Sequence, residues 1–214
     1  GSHYGYTEKG LYKTADDLAH SATHPGKGLG RIWWEDNDGD GDIDLDDRVW
    51  FGTPEPLFSF GLNVSLAYKN LDFSMFWEGK AGWTAYTPTK SQTDFYAVAA
   101  EGTNRGKRIL NAWTPENNKS KIPAIAYSND NDEGRTSTYL YENHSFAKLR
   151  NIQIGYSFNF PALKSAGIDK LRIYVTGQNL IQITSKDFSG VDPEQTSYSY
   201  PLPLTVIAGL QLGF

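Results

Sequence analysis

The sequence contains no cysteine among its 214 residues, so neither disulfide bonds nor thiolate metal sites can form. It also lacks any stretch that approaches the roughly 18 consecutive apolar residues of a membrane-spanning helix, and no secretory signal is evident. These absences exclude a disulfide scaffold and a helical membrane protein. Aromatic residues (14%) and glycines (21) are plentiful instead, a composition typical of β structure with many turns.

Residues suited to catalysis are scarce. The histidines show no HExxH or other ligand spacing, and we expect all of them to be ordinary surface residues: His3, His20, His24 and His144. Nothing in the sequence indicates a nucleophile or a general acid or base. We therefore predict that the chain is not an enzyme.

Negative charge is concentrated in one short stretch. The chain has 25 acidic and 20 basic residues, for a formal net charge of −5. Residues 35–47, EDNDGDGDIDLDD, contain eight of the acidic residues and no basic one. Outside that stretch, 17 acidic residues face 20 basic ones, so no chain-wide field indicates nucleic acid or another charged partner.

The same stretch, which we call the acidic loop, has the spacing of a calcium-binding loop, D-x-D-x-D-G-x5-D. Alternate carboxylates in a tight loop converge on one point, and Gly41 permits the sharp turn. Ile43 provides an apolar anchor. The predicted Ca²⁺ ligands are the side chains of Asp36, Asp38, Asp40 and Asp47 and the backbone carbonyl of Asp42. The alternative interpretation is a solvated acidic turn.

Five segments alternate apolar and polar residues with the period of two that β-strands require. Phe58, Phe60 and Leu62, for example, alternate with Ser59 and Gly61. The opposite face is mostly Gly, Ser, Asn and Gln, which favours a wet lumen over a solvated sheet. The predicted lipid-facing positions are the even ones in 58–68, 152–158 and 204–214 and the odd ones in 71–77; a fifth strand covers 171–175.

The connections between these strands alternate in length. A two-residue turn joins the first two strands and a short connection joins the third and fourth, whereas the other two connections are long. Short turns on one side and long loops on the other are typical of a transmembrane β-barrel. A soluble β-sandwich, whose strands also alternate, is the alternative.

Most of the tryptophans fall outside the predicted strands, in the long loops. In that position they could stack on sugar rings, but we expect packing between large loops instead. The five are Trp33, Trp34, Trp50, Trp83 and Trp113.

Several segments, taken in order, resemble the C-terminal part of SusC/RagA-type TonB-dependent outer-membrane transporters of the Bacteroidetes. They include YGYTEKGLYKTADDL, DNDGDGDIDLDDRVWFGTPEPLFSFGLNVSLAYKNLDFSMFWEGKAG, SFAKLRNIQIGYSFNFP, LRIYVTGQNLIQIT, GVDPE and YPLPLTVIAGLQLGF. The resemblance implies an all-β fold, the last five antiparallel strands of a transmembrane β-barrel of about 22 strands with long extracellular loops. The family's signal peptide, plug and TonB-contacting segment have no counterpart here, so we expect a portion of a longer protein.

The resemblance also implies a function, which is energised import of oligosaccharides or peptides through TonB and a SusD-like surface lipoprotein that acts as a lid. The implied location is the outer membrane, in contact with its lipid. We predict a division into an extracellular loop region at 1–52 and barrel strands at 53–214. The alternative from another class is a secreted, calcium-stabilised β-domain that binds glycans.

Strand direction predicts the topology. If Phe214 ends a strand in the periplasm, earlier strands alternate in direction, and the acidic loop, 83–143 and 185–203 lie outside the cell. Asn70 and the turn at 161–170 would then lie in the periplasm.

Overall fold

The computed structural model describes residues 2–94, 106–126, 132–161, 165, 167–197 and 199–214. Parts of the predicted loop 83–143 and of the predicted turn 161–170 therefore lie outside the described residues. The strands are β1 (His3–Gly5), β2 (Glu8–Leu11), β3 (Ile32–Trp34), β4 (Val49–Phe51), β5 (Phe58–Tyr68), β6 (Leu71–Ala81), β7 (Thr84–Tyr86), β8 (Tyr141–Asn143), β9 (Phe146–Phe158), β10 (Lys170–Thr184) and β11 (Thr205–Gly213). The helices are α1 (Ala15–Ala19), α2 (Pro88–Thr93) and a 3-10 helix at Lys107–Asn111.

The helices in these ranges are too short and too polar to span a membrane.

The five longest strands form one antiparallel sheet in the order β11–β10–β9–β6–β5. Every pairing in this sheet joins two strands that follow one another along the chain when only these five are counted. The five strands predicted from period-two alternation are thereby confirmed. β9 and β10 are longer than predicted, with 13 and 15 residues, because both continue through a bulge that interrupts the alternation.

The strand register brings the predicted apolar positions onto one face. Phe73 pairs with Leu66 on one side and Ile154 on the other. Ile154 also pairs with Val175, which pairs with Ala208. Because directly paired residues share a face of a sheet, this row is apolar across all five strands. The intervening positions form a second, mostly polar face.

The bulges lie side by side in β9 and β10. The pairing leaves Arg150 unpaired in β9 and Asn179 and Leu180 unpaired in β10. Strict alternation would place Arg150 on the apolar face, but its Nε donates to Glu78 Oε2 at 2.9 Å on the polar face. Asn179 has a φ of 54°, and its amide donates to the carbonyl of Pro203. The bulges thus remove Arg150 from the apolar face and give the Asn179 amide a backbone acceptor.

An ion pair crosses β9 on the polar face. Arg172 Nε of β10 donates to Asp72 Oδ1 of β6 at 2.9 Å, although β9 lies between those strands. The pair passes over Gly155, where a Cβ atom would overlap both charged groups. Gly209 of β11 lies under the Tyr174 ring in the same way. Glycines therefore allow long side chains to connect neighbouring and next-neighbouring strands.

The rest of the chain forms a second compact unit. Residues 1–55, 83–144 and 187–199 make up this loop unit, and 56–82, 145–186 and 200–214 make up the sheet unit. The loop unit contains three two-stranded sheets, β1–β4, β2–β3 and β7–β8. The predicted division into 1–52 and 53–214 differs from this grouping, because two later loops pack against the first segment.

The core of the loop unit is rich in aromatic side chains. Its buried members are Tyr6, Leu11, Ile32, Trp34, Ile43, Trp113, Tyr139 and Leu140. Packing, as expected, buries Trp34 (1% exposed) and Trp113 (7% exposed). Trp33 and Trp34 lie in β3 and Trp50 in β4, short strands of the loop unit that leave no clear alternation in the sequence. The expectation of packing is wrong for Trp50, which is 69% exposed.

The prediction of surface histidines is wrong for His24 and His144, which are 7% and 0% exposed. His144 Nδ1 lies 2.8 Å from the Pro193 carbonyl, and Nε2 lies 3.1 Å from Thr87 Oγ. Because a carbonyl only accepts, Nδ1 holds the proton and Nε2 accepts from the threonine hydroxyl. Burial lowers the pKa of both histidines, which favours their neutral form.

Candidate functional site

The acidic loop folds around its own carboxylates. Asp36 accepts hydrogen bonds from the backbone N–H groups of Gly39 and Gly41, at 2.7 and 3.1 Å. Asp38 accepts from the N–H of Asp40. These bonds turn the chain tightly, and one carboxylate oxygen from each of Asp36, Asp38 and Asp40 lies within 4.8 Å of the others. Three of the predicted ligands are therefore brought together.

Asp47 has a different position. It is fully buried, and its two carboxylate oxygens accept from the N–H groups of Asn37 and Asp44, both at 2.7 Å. Its carboxylate thereby closes the two ends of the loop on each other. The side chain of Asp47 is therefore not part of the three-carboxylate cluster. The side chain of Asp42 is not part of it either, but Asp42 is predicted to act through its backbone carbonyl only.

The loop is anchored by Ile43, which is 8% exposed and belongs to the aromatic core. Its N–H donates to the Thr23 carbonyl, and the Thr23 N–H donates to the Gly41 carbonyl, both at 2.8 Å. The predicted role of Ile43 as an apolar anchor is confirmed. The anchor fixes the last turn of the loop.

Like charges meet at the centre of the cluster. The hydrogen bond from the Asp40 N–H lowers the pKa of Asp38, but desolvation and the carboxylates of Asp40, Asp47 and Asp36 together outweigh it, so the pKa is raised. A divalent cation would relieve this repulsion, and hard carboxylate oxygens are the ligands that Ca²⁺ prefers.

Buried ion pairs that the sequence did not reveal help to hold the loop unit together. Arg108 makes a bidentate contact with Asp94 at 2.6 and 2.7 Å, and the Tyr139 hydroxyl donates to the same carboxylate. Lys90 pairs with Glu142 at 3.0 Å. Burial raises the pKa of Tyr139, and the adjacent Asp94 adds to the effect, so the hydroxyl stays a donor. Single charged residues in loops have no spacing pattern by which the sequence could identify them.

The sheet unit exposes its apolar face. Leu66 is 63% exposed, Tyr68 70% and Val206 64%. Exposed apolar surface of this extent marks an interaction with apolar surroundings. Five strands with one apolar and one polar face are the strand arrangement of a transmembrane β-barrel wall, with lipid on one side and a polar lumen on the other. The fold thus defines the class as part of a β-barrel wall.

Sequence comparison identifies the group within that class. The chain is 33% identical over 195 residues to TonB-dependent receptor P3 of Formosa agariphila, covering 91% of this chain and 18% of that receptor. It is 30% identical over 185 residues to TonB-dependent receptor SusC of Bacteroides thetaiotaomicron, covering 84% of this chain and 17% of SusC. No protein-family model matches the sequence. The chain is homologous to the C-terminal portion of TonB-dependent receptors of the SusC/RagA type.

Solved structures agree in fold. The chain superimposes on the RagAB peptide transporter with a TM-score of 0.73 at 22% identity, covering 100% of this chain and 22% of that one. For the RagAB peptide importer in the open-open state the TM-score is 0.72 at 21% identity, with the same coverage. The chain spans about a fifth of the length of these relatives. The resemblance and the all-β fold predicted from the sequence are confirmed.

Proposed function

We propose that the chain forms the last five strands and adjoining loops of a SusC/RagA-type transporter that imports nutrients across the outer membrane. The observation that supports this most directly is the sheet, whose apolar face is continuous across five strands and whose other face is polar. A secreted glycan-binding β-domain, the alternative, would leave that apolar face in water. The homologous receptors support the same assignment.

The proposed substrates are oligosaccharides or peptides. RagAB is a peptide transporter, and its similarity to this chain supports peptides as one class. The proposed partners are a SusD-like surface lipoprotein, which would cover the loop unit, and TonB, which would supply energy through other parts of the receptor. Outer-membrane lipid would contact the apolar face of the sheet.

The proposed orientation puts the loop unit outside the cell and the β5–β6 turn in the periplasm. Single cysteines test it, because the chain has none of its own. In intact cells, a membrane-impermeant thiol reagent should label Leu110→Cys, whose position is 82% exposed in the loop unit, and should spare Asn70→Cys. Position 130, another predicted extracellular site, lies outside the described residues. Labelling of Asn70→Cys in sealed cells would refute the orientation.

We also propose that the acidic loop binds Ca²⁺ as a structural ion. Asp36, Asp38 and Asp40 would provide three carboxylate ligands, the carbonyl of Asp42 would provide a fourth, and the side chain of Asp47 would complete the site. The supporting observation is the convergence of three carboxylates within 4.8 Å. The ion would offset the repulsion that raises the pKa of Asp38.

Calorimetry of the intact receptor tests this proposal. Calcium should raise the unfolding temperature of the wild type but not of Asp36→Ala/Asp40→Ala. The matched control is Asp42→Ala/Asp46→Ala, which removes the same charge and no side-chain ligand of the cluster, so it should keep the calcium response. Equal unfolding temperatures of the wild type with calcium and with a chelator would refute the site.

A further inference from the structure

The outward face of the β1–β4 pair presents two large aromatic rings. Tyr4 and Trp50 lie opposite each other across the pair, with ring centroids 4.8 Å apart and planes inclined by 44°. They are 41% and 69% exposed. Their neighbours His3 and Phe51 point to the other side, where both rings contact Tyr141. Among the residues that the structure describes, the β1–β4 pair thus buries one face in the loop unit and leaves the other exposed.

Trp50 differs from the other tryptophans. All six lie within the described residues, and the remaining five are buried or half-buried. The loop unit buries Trp34 and Trp113 in its core, so the fold is able to bury indole rings. An exposed indole beside an exposed phenol is a feature that the stability of the unit does not require.

Two further residues extend this surface. The Arg48 guanidinium lies 5.1 Å from the centroid of the Tyr4 ring, and its Nε donates to the Leu45 carbonyl at 3.1 Å. Leu45 is 63% exposed. We call Tyr4, Leu45, Arg48 and Trp50 the aromatic patch. Tryptophan, tyrosine and arginine are the residue types enriched at the energetic centres of protein interfaces.

Acidic residues flank Leu45 and form an acidic rim on that side of the aromatic patch. Leu45 lies within the acidic loop, between Asp44 and Asp46, and these two and Asp42 are exposed. Complementary charge around an apolar centre guides and selects partners. The partner that fits such a rim has lysines or arginines around an apolar pocket.

We propose that the aromatic patch is the docking site of a protein partner that inserts Trp50 into an apolar pocket rimmed by basic residues. An anionic lipid surface or a nucleic acid would be repelled by the acidic rim. In a two-fold symmetric pair of this chain, like surfaces meet, and the two acidic loops would oppose each other. The proposal rests on the proposed function in one respect, that the loop unit lies outside the cell where a second protein reaches it.

Photocrosslinking in intact cells tests the proposal on the full-length receptor. The probe is p-benzoylphenylalanine at position 45, which leaves Trp50 in place; the control is the same probe at position 110, where the exposed Leu110 follows the basic residues Lys107 and Arg108. Position 45 should crosslink to a second polypeptide, and mass spectrometry should map the crosslink beside apolar and basic residues. Position 110 should not form this product.

Two variants separate the apolar centre from the acidic rim. Trp50→Ala should lower the yield of the crosslinked product at least about tenfold, as expected of an interface centre. Asp42→Asn/Asp44→Asn/Asp46→Asn should lower it less and should remove most of its dependence on salt, because rim charges act chiefly on association.

Each other outcome refutes the proposal. A crosslink to another part of the receptor itself, to a second copy or to lipopolysaccharide is one such outcome. Another is a crosslink whose yield Trp50→Ala leaves unchanged. The third is the absence of any crosslink. Thiol labelling of Leu110→Cys in the same cells separates the two proposals. A labelled receptor without a crosslink refutes the docking site alone, whereas an unlabelled receptor refutes the proposed orientation and, with it, the docking site.

Discussion

The loop unit buries a core of large apolar side chains, with Trp34 at 1% and Tyr12 at 0% exposure. In the sheet unit the corresponding side chains are exposed, with Tyr68 at 70% and Leu66 at 63%. The loop unit therefore obtains its hydrophobic stabilisation from its own core. The sheet unit has little core of its own, and its exposed apolar face needs apolar surroundings. The loop unit is thus a folded body with its own core, whereas the five-stranded sheet is incomplete without such surroundings.

The largest effect should follow from removing the core of the loop unit. Trp34→Ala should cost the loop unit about 3–5 kcal/mol, because a large cavity replaces a fully buried ring. Hydrogen exchange of the intact receptor should show faster exchange in the loop unit and unchanged exchange in β9 and β10. Leu110→Ala is the control, since its side chain is 82% exposed, and should leave exchange unchanged. Equal acceleration in both units would show that they are not separate.

A smaller effect should follow in the sheet unit from Gly155→Val. The added side chain would separate Arg172 from Asp72 and strain β9, at a cost of about 1–3 kcal/mol. The measurement is the temperature at which the detergent-solubilised receptor loses its compact electrophoretic mobility. Gly134→Val is the control, because a Cβ atom at Gly134 meets nothing within 4 Å. A normal transition temperature for Gly155→Val would contradict the role of the ion pair.

Asn179 tests the bulge in β10. Its φ of 54° is unfavourable for a β-branched residue, so Asn179→Val should lower stability by about 1–2 kcal/mol. Asn179→Gly accepts this conformation without strain and should lose less, although it also loses the hydrogen bond to Pro203. The same electrophoretic assay compares the two. If Asn179→Gly lowers stability as much as Asn179→Val does, the hydrogen bond to Pro203, and not the backbone conformation, accounts for the loss.

The smallest effect concerns the pH dependence of the loop unit. Burial lowers the pKa of His144 below its usual value of 6.5, so the folded state binds its proton less readily than the unfolded state. The stability from this site is full above pH 6.5 and declines as pH falls from 6.5 toward the lowered pKa. The protection factors of residues 187–197, in which the pH dependence of the intrinsic exchange rate is already removed, should fall over that range.

The matching variant is His144→Gln, in which this part of the acid dependence should disappear. His24 has a lowered pKa as well, so some dependence should remain. His20→Gln, at an exposed position, should behave as the wild type does. An unchanged profile for His144→Gln would exclude His144 as the cause.

The sequence by itself determined the five strands, their two faces and the convergence of Asp36, Asp38 and Asp40. Alternation with period two assigns a side chain to a face without reference to any other strand, and the carboxylate spacing acts within one tight loop. Only the tertiary structure decided that 1–55, 83–144 and 187–199 pack together, that His144 is buried, and that Arg150 leaves the apolar face. Those outcomes depend on contacts such as His144 with Pro193 and Arg150 with Glu78. The residues in each contact lie far apart in the sequence, and no local sequence pattern encodes their pairing.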